Sequence, residues 1–278
     1  MLHSYSAELL KFRRRPAVWV VLVLWLALGM TFTYLFPYLA YRSAATPRIA
    51  QQLLAEVLPA QVPAQVVTGY PVWGGALIVV LGALYLGSEF GWGTLKTLLS
   101  NRPGRLTIYL AQVATLGTAL AGLVVVNFLL SGLASLLIAR TAGVTASLPS
   151  AGDVIRAMVV GWLILGMWCL FGCSLAILLR GTTLSIGLGL VWILVVENVL
   201  RATASLVGFI STVEKVLPGV NAGSLAAALG GSTALSGSSG GTGAVAVVGG
   251  AQALWTVVIY LLVFGAVGAV IIQQRDIQ

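Results

Sequence analysis

The 278-residue chain is 59% hydrophobic and only 8% charged, with a mean hydropathy of +1.02. Such a chain has too little polar surface for a water-soluble globule, and its composition is typical of a protein that crosses a membrane several times. The net charge of +8 would favour nucleic acid in a soluble domain, but here the cations flank apolar segments, where lipid headgroups and membrane orientation account for them. We therefore expect a lipid bilayer, and no nucleic acid, as the partner of these cations.

The first 15 residues predict an amphipathic helix that lies along the membrane interface. Tyr5 and Leu9 belong to an apolar face that repeats at helical spacing, and three consecutive arginines follow at residues 13–15. The apolar run over residues 17–41 exceeds the apolar core of a usual signal peptide, although the basic start is similar. It therefore predicts a first membrane-spanning helix.

Five further apolar runs predict spans at about residues 70–89, 106–138, 153–179, 184–205 and 251–272. The fold class expected is an all-α membrane protein with six transmembrane helices, in which residues 1–278 form a single domain. On this topology nine of the 15 lysines and arginines lie on the side of both chain ends. By the positive-inside rule, both termini are expected in the cytoplasm.

Two segments are expected outside the membrane on the opposite side. In residues 42–69, Thr46 predicts a helix cap and Pro47 a helix start. Residues 206–250 form an external segment before the last span; residues 206–217 have helical periodicity, and whether they re-enter the membrane stays open. The Gly/Ser/Thr-rich run at residues 230–243 predicts a flexible loop.

The sequence lacks the residues that nucleotide binding, catalysis and metal binding usually require. A phosphate-binding Walker A loop needs lysine after glycine, and Lys11, Lys96 and Lys215, the only lysines, do not follow a glycine. The only cysteines, Cys169 and Cys173, share one helix face and read as buried thiols, and the only histidine lies near the N-terminus. We therefore expect no catalytic residues, no metal site and no cofactor bound by this chain.

Few polar groups lie inside the predicted spans. Glu197 and Arg201 have the spacing of a helical ion pair, with Asn198 beside them, and Asn127 lies in the third span. These four residues are candidates for a transport pathway or gate. A purely structural ion pair and an interhelical hydrogen bond are the alternatives, and both stay open.

The most distinctive stretch is residues 88–105, between the second and third spans. Glycines break the preceding helix, Thr94 predicts the cap of a new helix, and Pro103 with Gly104 ends it. Glu89 is expected to face that new helix or a cation such as Lys96 or Arg102, because a carboxylate opposes the dipole at the end of a helix. The alternative is an ordinary basic loop resting on lipid headgroups.

This stretch resembles the cytoplasmic motif of type-2 ABC exporter permeases of the bacterial multidrug, antibiotic-resistance and sodium-export kind. In that motif an acidic–aromatic pair precedes Gly-Thr-Leu-basic, then Leu-Leu, then proline and arginine. The chain departs from the family pattern at Gln112, where many relatives carry lysine. The resemblance implies a cytoplasmic coupling helix at residues 90–105. It assigns contact with an ATPase subunit to Glu89, Phe90, Gly93, Thr94, Leu95, Lys96, Leu98, Leu99, Arg102 and Arg105.

The resemblance further implies a permease subunit, not an enzyme, that works as a dimer with a second permease copy or a paralogue. A separate ABC ATPase subunit would bind ATP and magnesium, and the complex would export a substrate across the bacterial cell membrane. Two other functions stay open: a permease-like immunity or assembly protein without transport, and a stand-alone channel. The sequence does not indicate the substrate.

Overall fold

The computed structural model describes residues 2–91, 104–204, 208–230 and 244–274. It confirms the all-α architecture, with six helices long and apolar enough to cross a membrane in the described part of the chain. The spans are Pro16–Arg42, Tyr70–Glu89, Arg105–Thr141, Ala151–Leu179, Thr183–Thr203 and Gly250–Gln274. Because the spans alternate in direction, we call their two ends the Glu89 face, which includes Pro16 and Arg105, and the Tyr70 face.

The second and fourth spans form the centre of the bundle. In the most apolar 18 residues of each span, 67% of the residues are buried in the second span and 61% in the fourth. The corresponding share in the sixth span is 17%. Side chains such as Ile78, Leu81, Ile164 and Leu165 are completely inaccessible there. The outer spans therefore present most of their apolar surface to the surroundings, as expected for helices in lipid.

Three spans contain a π-helical segment, at Thr31–Leu35, Tyr70–Gly74 and Trp192–Val196. Prolines lie in or beside the first two, and a proline nitrogen cannot donate in the helix ladder. At the third π-helical segment, the Asn198 side-chain amide donates to the Leu194 carbonyl at 2.9 Å. This hydrogen bond competes with the backbone hydrogen bonds of the helix. Such segments mark places where a helix departs from regular packing.

The N-terminal helix forms over Leu2–Arg14 and packs mainly along the third span. The helix predicted in the first loop is also present, over Pro47–Glu56, and Thr46 caps it by accepting a hydrogen bond from the Ile49 amide at 3.5 Å. A further helix, Val62–Thr68, was not expected. It is buried along its whole length and packs against the third and fourth spans.

The described residues of the segment before the last span include two helices with opposite environments. Gly208–Glu214 contains no buried residue, and Phe209 is 77% exposed. Pro218–Ala227, which we call the buried helix, has nine buried residues and packs against the sixth span and the Tyr70–Gly74 segment. Ser224 accepts hydrogen bonds from the Val247 and Val248 amides, which fixes the chain that leads into the sixth span.

Several predictions lie outside the described residues. These are most of the coupling helix, including Gly93, Thr94, Leu95, Lys96, Leu98, Leu99 and Arg102, the loop at residues 231–243, and the last four residues.

Candidate functional site

Glu89, the last residue of the second span, is completely buried. Its carboxylate contacts the Lys11 ammonium and lies 3.6 Å from Nη2 of Arg15. On the other side, Nε2 of Gln112 in the third span donates to Oε2 at 2.7 Å. One carboxylate therefore joins the N-terminal region, the second span and the third span.

A second carboxylate completes this arrangement. Glu8 is 5% exposed and accepts a 2.7 Å hydrogen bond from the Tyr85 hydroxyl. Nζ of Lys11 lies 3.2 Å from the Glu8 carboxylate, so this lysine contacts both acids. We call Glu8, Lys11, Arg15, Tyr85, Ser88, Glu89 and Gln112 together the Glu89 cluster. Its two carboxylates face two cations, which is the condition under which buried charge is tolerated.

Arg15 ties the start of the first span to the end of the second. Its Nη1 donates to the Tyr85 carbonyl at 2.7 Å and to Oγ of Ser88 at 2.9 Å. The guanidinium also lies 5.0 Å from the centre of the Tyr85 ring, within cation–π range. Because each side chain of the Glu89 cluster contacts at least one other member, the cluster joins the N-terminal helix to the ends of three spans.

The sequence predicted Glu89 as a site residue but not its partners in the described part of the chain. Lys96 and Arg102, the cations expected near it, lie outside the described residues. Its two observed cation contacts run back to Lys11 and Arg15, more than 70 residues earlier in the chain. A local signal existed, since Glu8 is an acidic residue in an otherwise basic amphipathic helix, and Tyr85 and Glu89 share one helix face.

Gln112 is the residue at which the chain was expected to differ from the permeases that it resembles. The structure shows that this side chain is buried and faces Glu89 directly. The Gln112 amide donates a hydrogen bond without adding a cation to Lys11 and Arg15, which face the two carboxylates in the described part of the chain. Arg105 begins the third span, and the Phe90 side chain lies outside the described part.

The structure also brings Glu197 and Arg201 together, with Oε2 and Nη2 3.7 Å apart. Glu197 is 2% exposed and accepts hydrogen bonds from Nε1 of Trp192 at 3.0 Å and from the Gly219 amide at 3.1 Å. Gly219 lies in the first turn of the buried helix, where a carboxylate is favoured by the helix dipole. A Cβ atom at Gly219 would collide with this carboxylate.

The other two pathway candidates do not join this pair. Asn127 donates to the Tyr70 hydroxyl at 2.9 Å, and exposed Asn198 donates to a carbonyl of its own helix. Cys169 and Cys173 are buried free thiols. Among the described residues no group of three or more His, Cys, Asp or Glu side chains is arranged to hold a metal ion.

A family model of ABC-2 family transporter proteins matches residues 5–196. This range covers more than half of the chain and contains every residue of the Glu89 cluster, whereas the Glu197–Gly219 contact begins just beyond it. A comparison with curated proteins found no match. The matched range and the six apolar helices lead to one conclusion: the chain belongs to the ABC-2 transporter family and is a multi-pass membrane permease of an ABC transporter.

Proposed function

We propose that this permease exports a substrate from the cytoplasm or inner leaflet and that a separate ABC ATPase subunit, which holds ATP and magnesium, drives it. The ATPase docks on residues 89–105, and the permease works as a dimer in the bacterial cell membrane. The Glu89 face is then the cytoplasmic side, with both chain ends on it.

The Glu89 cluster carries this proposal. Glu89 is the first residue of the proposed docking segment, and its buried carboxylate contacts Lys11 of the N-terminal helix, Arg15 at the start of the first span and Gln112 of the third span. A rigid movement imposed on residues 92–103 would therefore reach several helices at once, because an interlocked polar cluster shifts as a unit.

The distribution of cations along the sequence supports the orientation, since nine of the 15 lysines and arginines lie on the side of both chain ends in the six-span topology. Lys11 and the arginines at 13–15 lie at the Glu89 face, as do Arg105 and Arg180 at the ends of the third and fourth spans. Positive charge accumulates on cytoplasmic loops because the anionic inner leaflet and the insertion process both favour it.

The docking site is tested by photo-crosslinking in the complex with a candidate ATPase. A photoreactive amino acid at Leu98, inside the motif, is expected to crosslink to the ATPase, and the same group at Leu148 is not. Leu148 is a suitable control because it is 73% exposed on the opposite face. An ATPase that copurifies with the permease but crosslinks equally at both positions, or at neither, would contradict this docking site.

A further inference from the structure

Three polar side chains lie along one side of the third span, toward its Tyr70 face. Asn127, Ser131 and Ser135 are four residues apart, so they follow one another on the same helix face over about 12 Å. They are 4%, 0% and 0% exposed. Tyr34 of the first span, itself 4% exposed, lies next to Ser131.

Each of these residues has a buried polar atom without a hydrogen-bond partner. These atoms are Oη of Tyr34, Oδ1 of Asn127, Oγ of Ser131 and Oγ of Ser135. They make up four of the eight such atoms in the described part of the chain. Tyr34 and Ser131 lie side by side, but neither hydroxyl has a partner at both the distance and the angle of a well-formed hydrogen bond. The amide nitrogen of Asn127 is already used by Tyr70.

Other hydroxyl side chains in the spans behave differently. Serine and threonine in a membrane helix usually donate back to the carbonyl one turn earlier, which satisfies the hydroxyl within the helix. Thr31, Thr115, Ser174 and Ser185 all do so, at 2.5 to 2.8 Å. Ser131 and Ser135 do not, so their hydroxyls are not satisfied within their own helix.

We propose that Tyr34, Asn127, Ser131 and Ser135 form a binding site for ordered water molecules between the first and third spans. Water fits because the four groups are uncharged and offer both donors and acceptors, and because a buried water needs two to four polar partners. An ion would lack a compensating charge among these four residues. Bulk water cannot satisfy such groups inside a bilayer, so resident molecules must.

Tyr34 lies at a local irregularity of the first span. It belongs to the π-helical segment Thr31–Leu35, and its hydroxyl lies beside Ser131. Water bridges in place of direct side-chain bonds join the two helices through contacts that exchange readily.

Hydroxyl-radical footprinting by synchrotron radiolysis tests the proposal on the unaltered protein. Radicals form from water already bound inside the protein, so a tyrosine beside resident water is oxidised despite its burial. Tyr109 is the matched control, since it is 2% exposed but its hydroxyl donates to the Gly265 carbonyl at 3.0 Å. We expect Tyr34 to be oxidised several-fold faster than Tyr109. Equal rates would overturn the proposal.

The variants Ser131→Ala and Ser135→Ala give an independent test of the proposed water site. If water bridges these hydroxyls, each variant lowers the melting temperature in detergent and slows the oxidation of Tyr34. If no water is bound at this site, removing a hydroxyl without a partner leaves the melting temperature unchanged or raises it, which overturns the proposal. Should a variant fail to fold, the comparison of Tyr34 with Tyr109 in the unaltered protein still decides.

Discussion

Gly82 of the second span and Gly172 of the fourth span each lie against the backbone of the other helix. A Cβ atom on Gly82 would collide with the Cys169 carbonyl, and one on Gly172 with the Val79 carbonyl. The two central helices therefore approach each other closely because both crossing positions lack a side chain.

We expect Gly82→Ala and Gly172→Ala each to destabilise the protein by about 1 to 3 kcal/mol, because an added methyl group must displace backbone rather than a flexible side chain. Gly122→Ala and Gly132→Ala are the controls, since both lie in the third span with nothing within 4 Å of the added atom. Thermal unfolding in detergent measures the difference. A melting temperature for Gly82→Ala equal to that of the controls would show that the crossing is looser than described.

The contacts of Glu197 predict that different substitutions of this residue destabilise the protein to different extents. Glu197→Ala leaves the Gly219 amide, Trp192 and Arg201 without their acceptor, and loss of one partner of a buried pair costs about 3 to 5 kcal/mol. Glu197→Gln keeps an acceptor oxygen and is expected to cost less. Asn198→Ala is the neighbouring control, because Asn198 is exposed and bonds only within its helix. The order of melting temperatures checks this, and a lower value for Asn198→Ala than for Glu197→Ala would refute it.

The Gln112–Glu89 hydrogen bond predicts that Gln112→Leu destabilises the junction of the second and third spans. Removing a buried donor from a carboxylate costs about 1 to 3 kcal/mol. Thr118→Val removes an exposed bond to Tyr5 from the same span, 3.0 Å long, and is expected to have little effect. Equal melting temperatures for the two variants would mean that the buried bond contributes no more than the exposed one.

The spans were readily predicted from the sequence, because the thickness of the bilayer dictates the length of an apolar run. The second span was expected at about residues 70–89 and is observed at Tyr70–Glu89. The helix Pro47–Glu56 was also expected, since Thr46 and Pro47 form a local start signal.

Burial of short helices was not predicted. Val62–Thr68 was included in an external loop, yet it is buried against the spans, and a helix of seven residues gives too short a pattern to be recognised. The buried helix Pro218–Ala227 was missed for a related reason, since its small residues give no strong apolar pattern. Periodicity pointed instead to residues 206–217, where Phe209 is largely exposed.

Glu89 was predicted as a site residue because the stretch that contains it resembles a motif of ABC exporter permeases. Its contact with Arg15 spans 74 residues of chain, and local patterns carry no information about such a pairing. Glu197 and Arg201 were predicted as a pair because helical spacing alone brings them together. The third partner, Gly219, depends on tertiary packing and was not predicted.

The orientation predicts which side of the membrane each end of the chain reaches. In a background with Cys169 and Cys173 replaced by alanine, Ser238→Cys is expected to react with an impermeant thiol reagent added outside cells. Gln278→Cys is expected to react only after the membrane is opened. The cation distribution gives the reason. Labelling of both positions from the same side of intact cells would contradict the six-span topology.

The Glu89→Gln variant gives the most direct test of coupling through Glu89, measured as ATP hydrolysis by the permease–ATPase complex in lipid vesicles. Glutamine keeps the size of the side chain and removes its charge, so Lys11 and Arg15 lose their shared counterion. Asp153→Asn removes a carboxylate from an exposed position at the opposite face and serves as the control. Because disrupting a buried charge pair costs about 2 to 5 kcal/mol, we expect permease-dependent hydrolysis to fall by about tenfold or more in Glu89→Gln and to be unchanged in Asp153→Asn. Full hydrolysis by an intact Glu89→Gln complex would contradict coupling through the Glu89 cluster.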